Sequence, residues 1–235
     1  EIEYFASNRL INNTFLEIFS NRSDRFNNHI EWIHPISSNF RSRVGKDYIQ
    51  TADITDILGY FGVSWDFLPR WNLDIRTGGT PSADLFPKYF HEEEISYQAP
   101  KTSLKLSTKY RHMSFPTDPL NIFIPSLDYQ ITDKLMLPTR AYLGFQKKGN
   151  LHSGHLKMTY NWNPELTTYI GGVYGIGGFR TTTNQETEPV NTYSIQSGFN
   201  YRISQKLSIG LNHEYENREG QFKRNVFGIR VPIWF

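Results

Sequence analysis

Phe227-Gly228-Ile229-Arg230-Val231-Pro232-Ile233-Trp234-Phe235 places an apolar residue at every second position: Phe227, Ile229, Val231, Ile233 and Phe235. Successive side chains of a strand point to opposite faces, so this stretch reads as a strand with one apolar face that runs to a terminal aromatic residue. A soluble edge strand shows the same alternation, and the rest of the chain decides between the two. Polar, turn-prone clusters recur at residues 35–39, 68–70, 98–101, 131–134, 161–165 and 202–206. Their centres fall near 37, 69, 100, 132, 164 and 204, at intervals of about 32, 31, 32, 32 and 40 residues. A membrane-crossing strand takes roughly 9–11 residues, so an up strand, a distal loop, a down strand and a short turn add up to this repeat.

The rhythm divides the chain into seven hairpins. It predicts strands over 11–20, 25–34, 40–49, 56–67, 71–79, 88–97, 102–113, 120–130, 135–147, 151–162, 166–178, 191–202, 206–216 and 222–235. That is an all-β, up-and-down antiparallel transmembrane β-barrel of about fourteen strands, with twelve or sixteen as neighbouring counts. Residues 1–235 read as a single domain, in which residues 1–9 either extend the first strand or form a periplasmic lead-in; a chain that begins at Glu1 is read as a mature product or a trimmed fragment. Short turns and both termini share one rim, expected to be periplasmic. Longer stretches such as 78–87 and 181–189 lie on the other.

Composition agrees with a barrel and excludes other classes. Aromatic residues make up 15% of the 235, yet mean hydropathy is −0.53. No apolar run approaches the roughly 18 residues a membrane helix needs. A barrel escapes that requirement because only one face of each strand meets lipid. The 25 basic and 23 acidic residues are interspersed, leaving no basic stripe for nucleic acid. The absence of cysteine suits an exported protein.

Parity assigns the faces. Leu207, Ile209, Leu211 and Tyr215 share one side of their strand, as do Tyr193, Ile195, Phe199 and Tyr201, and Phe61, Val63, Trp65 and Phe67. The opposite faces carry Asp74, Arg76, Glu92, Glu94, Lys105, Lys109, Arg111, Lys157, Arg202, Glu214, Glu216, Arg224 and Arg230, which are expected to line a lumen. So many charges in a dry core would cost several kcal/mol each unless paired, whereas a wet lumen keeps them solvated. Trp65, Phe67, Trp71, Tyr129, Tyr160, Trp162, Tyr201, Trp234 and Phe235 are expected to form the aromatic girdle at the inner boundary of the membrane.

The stretch Leu58-Gly59-Tyr60-Phe61-Gly62-Val63-Ser64-Trp65-Asp66-Phe67-Leu68-Pro69-Arg70-Trp71-Asn72-Leu73-Asp74-Ile75, followed by Pro81-Ser82 and Phe86-Pro87-Lys88-Tyr89, resembles the YaiO-type outer-membrane β-barrel domain. The resemblance implies the outer membrane of a Gram-negative bacterium, with the lipid bilayer as partner and a link to surface polysaccharide export or an envelope complex. Phe235 is similar to the terminal aromatic through which the barrel-assembly machinery recognises such proteins. No catalytic residue comes with the family.

Three constellations could carry chemistry. His91-Glu92-Glu93-Glu94 places Glu92 and Glu94 inward, opposite Lys105, Lys109 and Arg111, which favours cross-strand ion pairs over a divalent-metal site. Ser153 and His155 share a face, as a nucleophile and its base would, with Glu186, Glu188 or Asp118 as third members on loops. Gly171 to Gly178 holds five glycines inside a strand pattern, which marks a kink or a close approach. The expectation is therefore a channel or membrane anchor without cofactor or metal. The alternatives are an outer-membrane lipid-modifying hydrolase using Ser153 and His155, and a secreted soluble β-sandwich that binds glycans.

Overall fold

The computed structural model describes residues 7–100, 102–116, 118–147, 149–177 and 189–235. Its strands, in chain order, are β1 (Arg9–Phe19), β2 (Arg25–Ser37), β3 (Phe40–Gln50), β4 (Thr55–Leu68), β5 (Trp71–Gly79), β6 (Tyr89–Gln98), β7 (Leu104–Ser114), β8 (Leu120–Gln130), β9 (Leu135–Phe145), β10 (Leu151–Asn161), β11 (Leu166–Ile176), β12 (Asn191–Ser204), β13 (Leu207–Arg218) and β14 (Phe222–Trp234). Each pairs antiparallel with its sequence neighbour, and β1 pairs with β14 from Arg9 opposite Trp234 to Phe19 opposite Arg224. The sheet is a closed barrel of fourteen strands, and closure leaves no unpaired edge inside a bilayer. A single closed sheet overturns the β-sandwich alternative, which needs two sheets packed face to face. No predicted strand end is more than three residues from its observed position.

Alternation fixes the two faces. Phe61, Ile195, Leu211, Phe227 and Ile229 are among the large apolar side chains exposed on the outside. Near the rim that carries the termini, Trp65, Phe67, Trp71 and Tyr97 form a run of ring contacts with centroids 5.7, 6.4 and 4.7 Å apart. Tyr160 and Trp162 meet edge to face at 4.8 Å. Trp234 does not join this girdle: it stands opposite Arg9, on the same parity as Arg230, because the period of two is unbroken along β14. The expected lead-in falls partly on residues 1–6, and the expected loop 181–189 mostly on residues 178–188; both lie outside the described residues.

The interior is not uniform. Towards the loop rim, Met113, Phe115, Leu120, Ile122, Ile124 and Leu151 form one buried cluster, and Ile49, Leu58, Tyr60, Leu85 and Phe86 another. Leu85 and Phe86 belong to the β5–β6 loop and Phe115 to the β7–β8 loop, so two loops fold into the barrel at that end.

Candidate functional site

The lumen is the candidate site. On the β2–β7 arc, cations and carboxylates form a ladder on the inner face. Arg43 binds Asp74 and lies 3.7 Å from Glu31; Arg76 meets Glu92 at 2.7 Å; Arg111 binds Glu92; and Lys109 meets Glu94 at 2.9 Å. One link skips a strand: Arg43 of β3 reaches Asp74 of β5 over β4. Only the concave face brings alternate strands this close, and glycine makes the room. A Cβ on Gly62 of β4 would lie 2.7 Å from Arg76 Cγ and 3.0 Å from Arg43 Cγ. Gly45 likewise lets Tyr60 of β4 cross β3 and donate to Glu31 of β2 at 3.1 Å.

A second charged group sits at the seam, near the loop rim. Arg224 of β14 donates to Glu17 of β1 at 2.8 Å and also binds Glu216 of β13, while Arg25 lies 3.5 Å from Glu17. Arg224 and Glu216 are each 1% exposed. Burial this deep is tolerable only because the charges neutralise one another. Phe19 and Phe222 meet edge to face at 5.2 Å, with the Arg22 guanidinium 3.9 Å from both rings.

The plug is pinned by one residue that sequence reasoning missed. Asp56, at the loop-rim end of β4 and 1% exposed, accepts hydrogen bonds from Thr80 Oγ1 at 2.6 Å, from the Ser82 hydroxyl, and from the backbone amides of Leu85 and Phe86, each at 3.0 Å. A carboxylate receiving four donors from one loop fixes the loop's path. Leu85 behind it is 0% exposed. The available signal was the Leu85-Phe86-Pro87 run, apolar within an otherwise polar loop.

All thirteen charged side chains expected in the lumen lie on the face opposite the exposed apolar rows, but they divide by depth. Glu92, Glu214, Glu216 and Arg224 are buried; Asp74, Arg76, Glu94, Lys109, Arg111 and Lys157 are half-buried; Lys105, Arg202 and Arg230 are exposed. Glu92 and Glu94 engage Arg76, Arg111 and Lys109, while Lys105 stands opposite Gln98 and Asp128. Among the described residues no three His, Cys, Asp or Glu side chains form a metal-sized cluster. Glu93 and His91 instead pair on the outer face at 2.8 Å, near the loop rim.

Ser153 and His155 both face the lumen and are buried, and His155 Nε2 lies 2.5 Å from Gln196 Nε2. This pair therefore points away from the lipid-facing rows. Of the third members, Asp118 is buried at the β7–β8 loop, and Glu186 and Glu188 lie outside the described residues. The glycine run contains a close approach: a Cβ on Gly175 would come within 2.2 Å of the His152 carbonyl oxygen. Gly178 is outside the described residues. Phe235 is exposed, and its amide bonds to the Asn8 carbonyl at 3.0 Å.

A closed antiparallel ring with an apolar exterior, a charged lumen and an infolded plug defines an outer-membrane β-barrel of channel-like fold. The YaiO membrane beta barrel domain matches over residues 22–180, more than half of the chain, and the protein belongs to that family. A comparison with curated proteins finds no match. Among solved structures the chain is similar to a bacterial polysaccharide outer membrane secretin, with TM-score 0.64 and 9% identity, covering 98% of this chain and 99% of that one. An outer membrane channel from Pseudomonas putida F1 aligns with TM-score 0.62 and 9% identity, covering 98% and 96%. The Pseudomonas putida toluene transporter TodX aligns with TM-score 0.60 and 8% identity, covering 97% and 88%. At such identities the likeness concerns the fold.

Proposed function

We propose that this protein is a gated channel in the outer membrane of a Gram-negative bacterium, with its termini in the periplasm and its loops outside. The lumen admits solute from the periplasmic rim and is stoppered at the outer rim by residues 80–88. The observation that carries this reading is the gradient along the inner face of β13 and β14. Glu214, Glu216, Arg224 and Val226 are buried, whereas Arg230, closer to the termini, is exposed. On these two strands the loop-side wall is therefore packed, and the terminal-side wall is open. The charged lining suits a hydrophilic solute, and the likeness to a polysaccharide secretin makes a surface glycan the first class to test. Phe235 is the proposed handle for the barrel-assembly machinery, and proteins of envelope or polysaccharide export are the proposed partners.

Liposome swelling with neutral sugars, compared between the wild type and a variant lacking residues 81–87, tests the gate. Permeation that appears or rises on deletion supports it; equal impermeability of both barrels contradicts it. The buried apolar clusters of the loop-side half favour a second reading, a membrane anchor. That reading expects silence in planar bilayers from both proteins, together with envelope proteins that co-purify with the barrel.

A further inference from the structure

The inner wall is electrostatically two-sided. On the β2–β7 arc the lumen cations meet carboxylates, in the ladder Arg43–Asp74, Arg76–Glu92, Arg111–Glu92 and Lys109–Glu94. On the β9–β14 arc the acidic inward residues are Glu214 and Glu216, both in the packed loop-side half. Below them, towards the termini, the inward positions of that arc carry Arg140, Lys157, Arg202 and Arg230 and no Asp or Glu. Arg140, Lys157 and Arg230 form no ion pair among the described residues.

Arg140 stands opposite His155, the next inward residue of β10 before Lys157, and Arg230 stands opposite Gly210 on β13. The wall between them is low. Gly171, Gly198 and Gly210 stand on the inner faces of β11, β12 and β13, so the intervening surface is backbone interrupted by the half-buried amides of Gln196, Asn200 and Asn212. Tyr169 also lies there, its ring 3.8 Å beneath Lys157 Nζ. Arg140 and Arg230 are exposed although they point into the barrel, so a solute in the lumen can reach them. Like charges on one wall repel one another, and an anion placed among them reduces that penalty.

We propose that the terminal-side wall of β9–β14 is a binding surface for a polyhydroxylated anion, that is, a carboxylated sugar chain. Arg140, Lys157 and Arg230 receive its carboxylates, and Gln196, Asn200 and Asn212 receive its hydroxyls. Guanidinium groups bind carboxylates through paired N–H donors, and amides offer the donor and acceptor that a hydroxyl needs. This inference deepens the proposed channel function, but it requires only that the lumen be reachable from the terminal rim.

Calorimetric titration of the detergent-purified barrel with hexagalacturonate, and with maltohexaose as its neutral counterpart, tests the proposal. Hexagalacturonate is expected to bind at low ionic strength, to weaken as salt screens the wall, and to bind at least about tenfold more tightly than maltohexaose. The triple variant Arg140→Gln, Lys157→Gln, Arg230→Gln should lose at least about tenfold in affinity while its thermal unfolding in detergent is retained. A second variant, Arg140→Lys with Arg230→Lys, keeps the charge and should keep salt-dependent binding if the triple variant does not fold. Equal binding of the two sugars, unaltered binding by the folded triple variant, or no binding of hexagalacturonate at low salt overturns the proposal. Equilibrium binding is independent of permeation, so a barrel that binds without conducting refutes the channel and leaves this surface standing.

Discussion

Replacing Asp56 with alanine should release the plug without dismantling the barrel. The carboxylate accepts four hydrogen bonds from the loop that folds into the lumen, from Thr80, Ser82 and the amides of Leu85 and Phe86, besides one from the adjacent Ile57 amide. A hydrogen bond to a charged acceptor contributes about 1.5–3 kcal/mol, and these four share one carboxylate, so their contributions are not additive. Two hydroxyls can turn to water once the loop loosens, while the two amides lose their acceptor. A net loss of about 3–4 kcal/mol in plug closure is expected, by analogy with removal of one partner from a buried charged group. At 1.4 kcal/mol per decade, that raises the open population about 10²- to 10³-fold. Leu85 and Phe86 keep their apolar seats, each contributing about 1.5–3 kcal/mol, so the loop loosens but does not unfold the barrel. Amide hydrogen exchange on the detergent-solubilised protein is the assay. Protection at Leu85 and Phe86 should fall by about the same 10²- to 10³-fold, while the β12–β13 ladder is unaffected. Asp56→Asn should fall less, since its carbonyl oxygen can accept from the two amides while its NH2 group donates to the hydroxyls of Thr80 and Ser82. Unchanged protection at Leu85 and Phe86 in Asp56→Ala would refute the reasoning.

Other perturbations separate the two faces and the seam. Gly45→Ala puts a Cβ 2.3 Å from Tyr60 Oη and should cost about 1–3 kcal/mol in urea unfolding, whereas Gly59→Ala, on the outer face with open space around it, should be within about 0.5 kcal/mol of the wild type. Arg224→Leu leaves Glu17 with Arg25 at 3.5 Å and Glu216 with Arg218 at 3.9 Å and should cost about 3 kcal/mol, read as unfolding at a lower temperature on semi-native gels; adding Glu216→Leu should recover part of the loss. Leu211→Arg, on the exposed apolar row, should cost about 2–4 kcal/mol in lipid vesicles, and Asn212→Arg, its inward neighbour, much less.

What the sequence revealed and what it hid follow from the range of the interactions. Strand positions were legible because alternation is local: the row Phe227, Ile229, Val231, Ile233 fixes the face of β14 without knowledge of any partner. The same parity put Arg224 on the inner face, yet its partner Glu17 lies 207 residues away and meets it only because the ring closes. Glu94 and Lys109 were within reach of a sequence argument because one hairpin joins them, while Arg43 and Asp74, two strands apart, depend on the absence of a side chain at Gly62. The direction of the loop after β5 carries no periodic signature. Asp56 therefore looked like the first residue of a strand, and only the folded chain brings Leu85 and Phe86 to it. The separation of the lumen into a compensated arc and a cationic arc was likewise invisible, because the summed charge of the whole chain is only +2.

Site-directed spin labelling in lipid vesicles tests the central claim most directly, and a chain with no native cysteine allows it without background. Nitroxides at Ile195, Leu211 and Phe227 should collide with oxygen and be shielded from a water-soluble nickel chelate, while nitroxides at Arg140 and Arg230 should show the reverse. Chelate access at the apolar row, or oxygen preference at the two arginine positions, would contradict an exterior that faces hydrocarbon and a lumen that holds water.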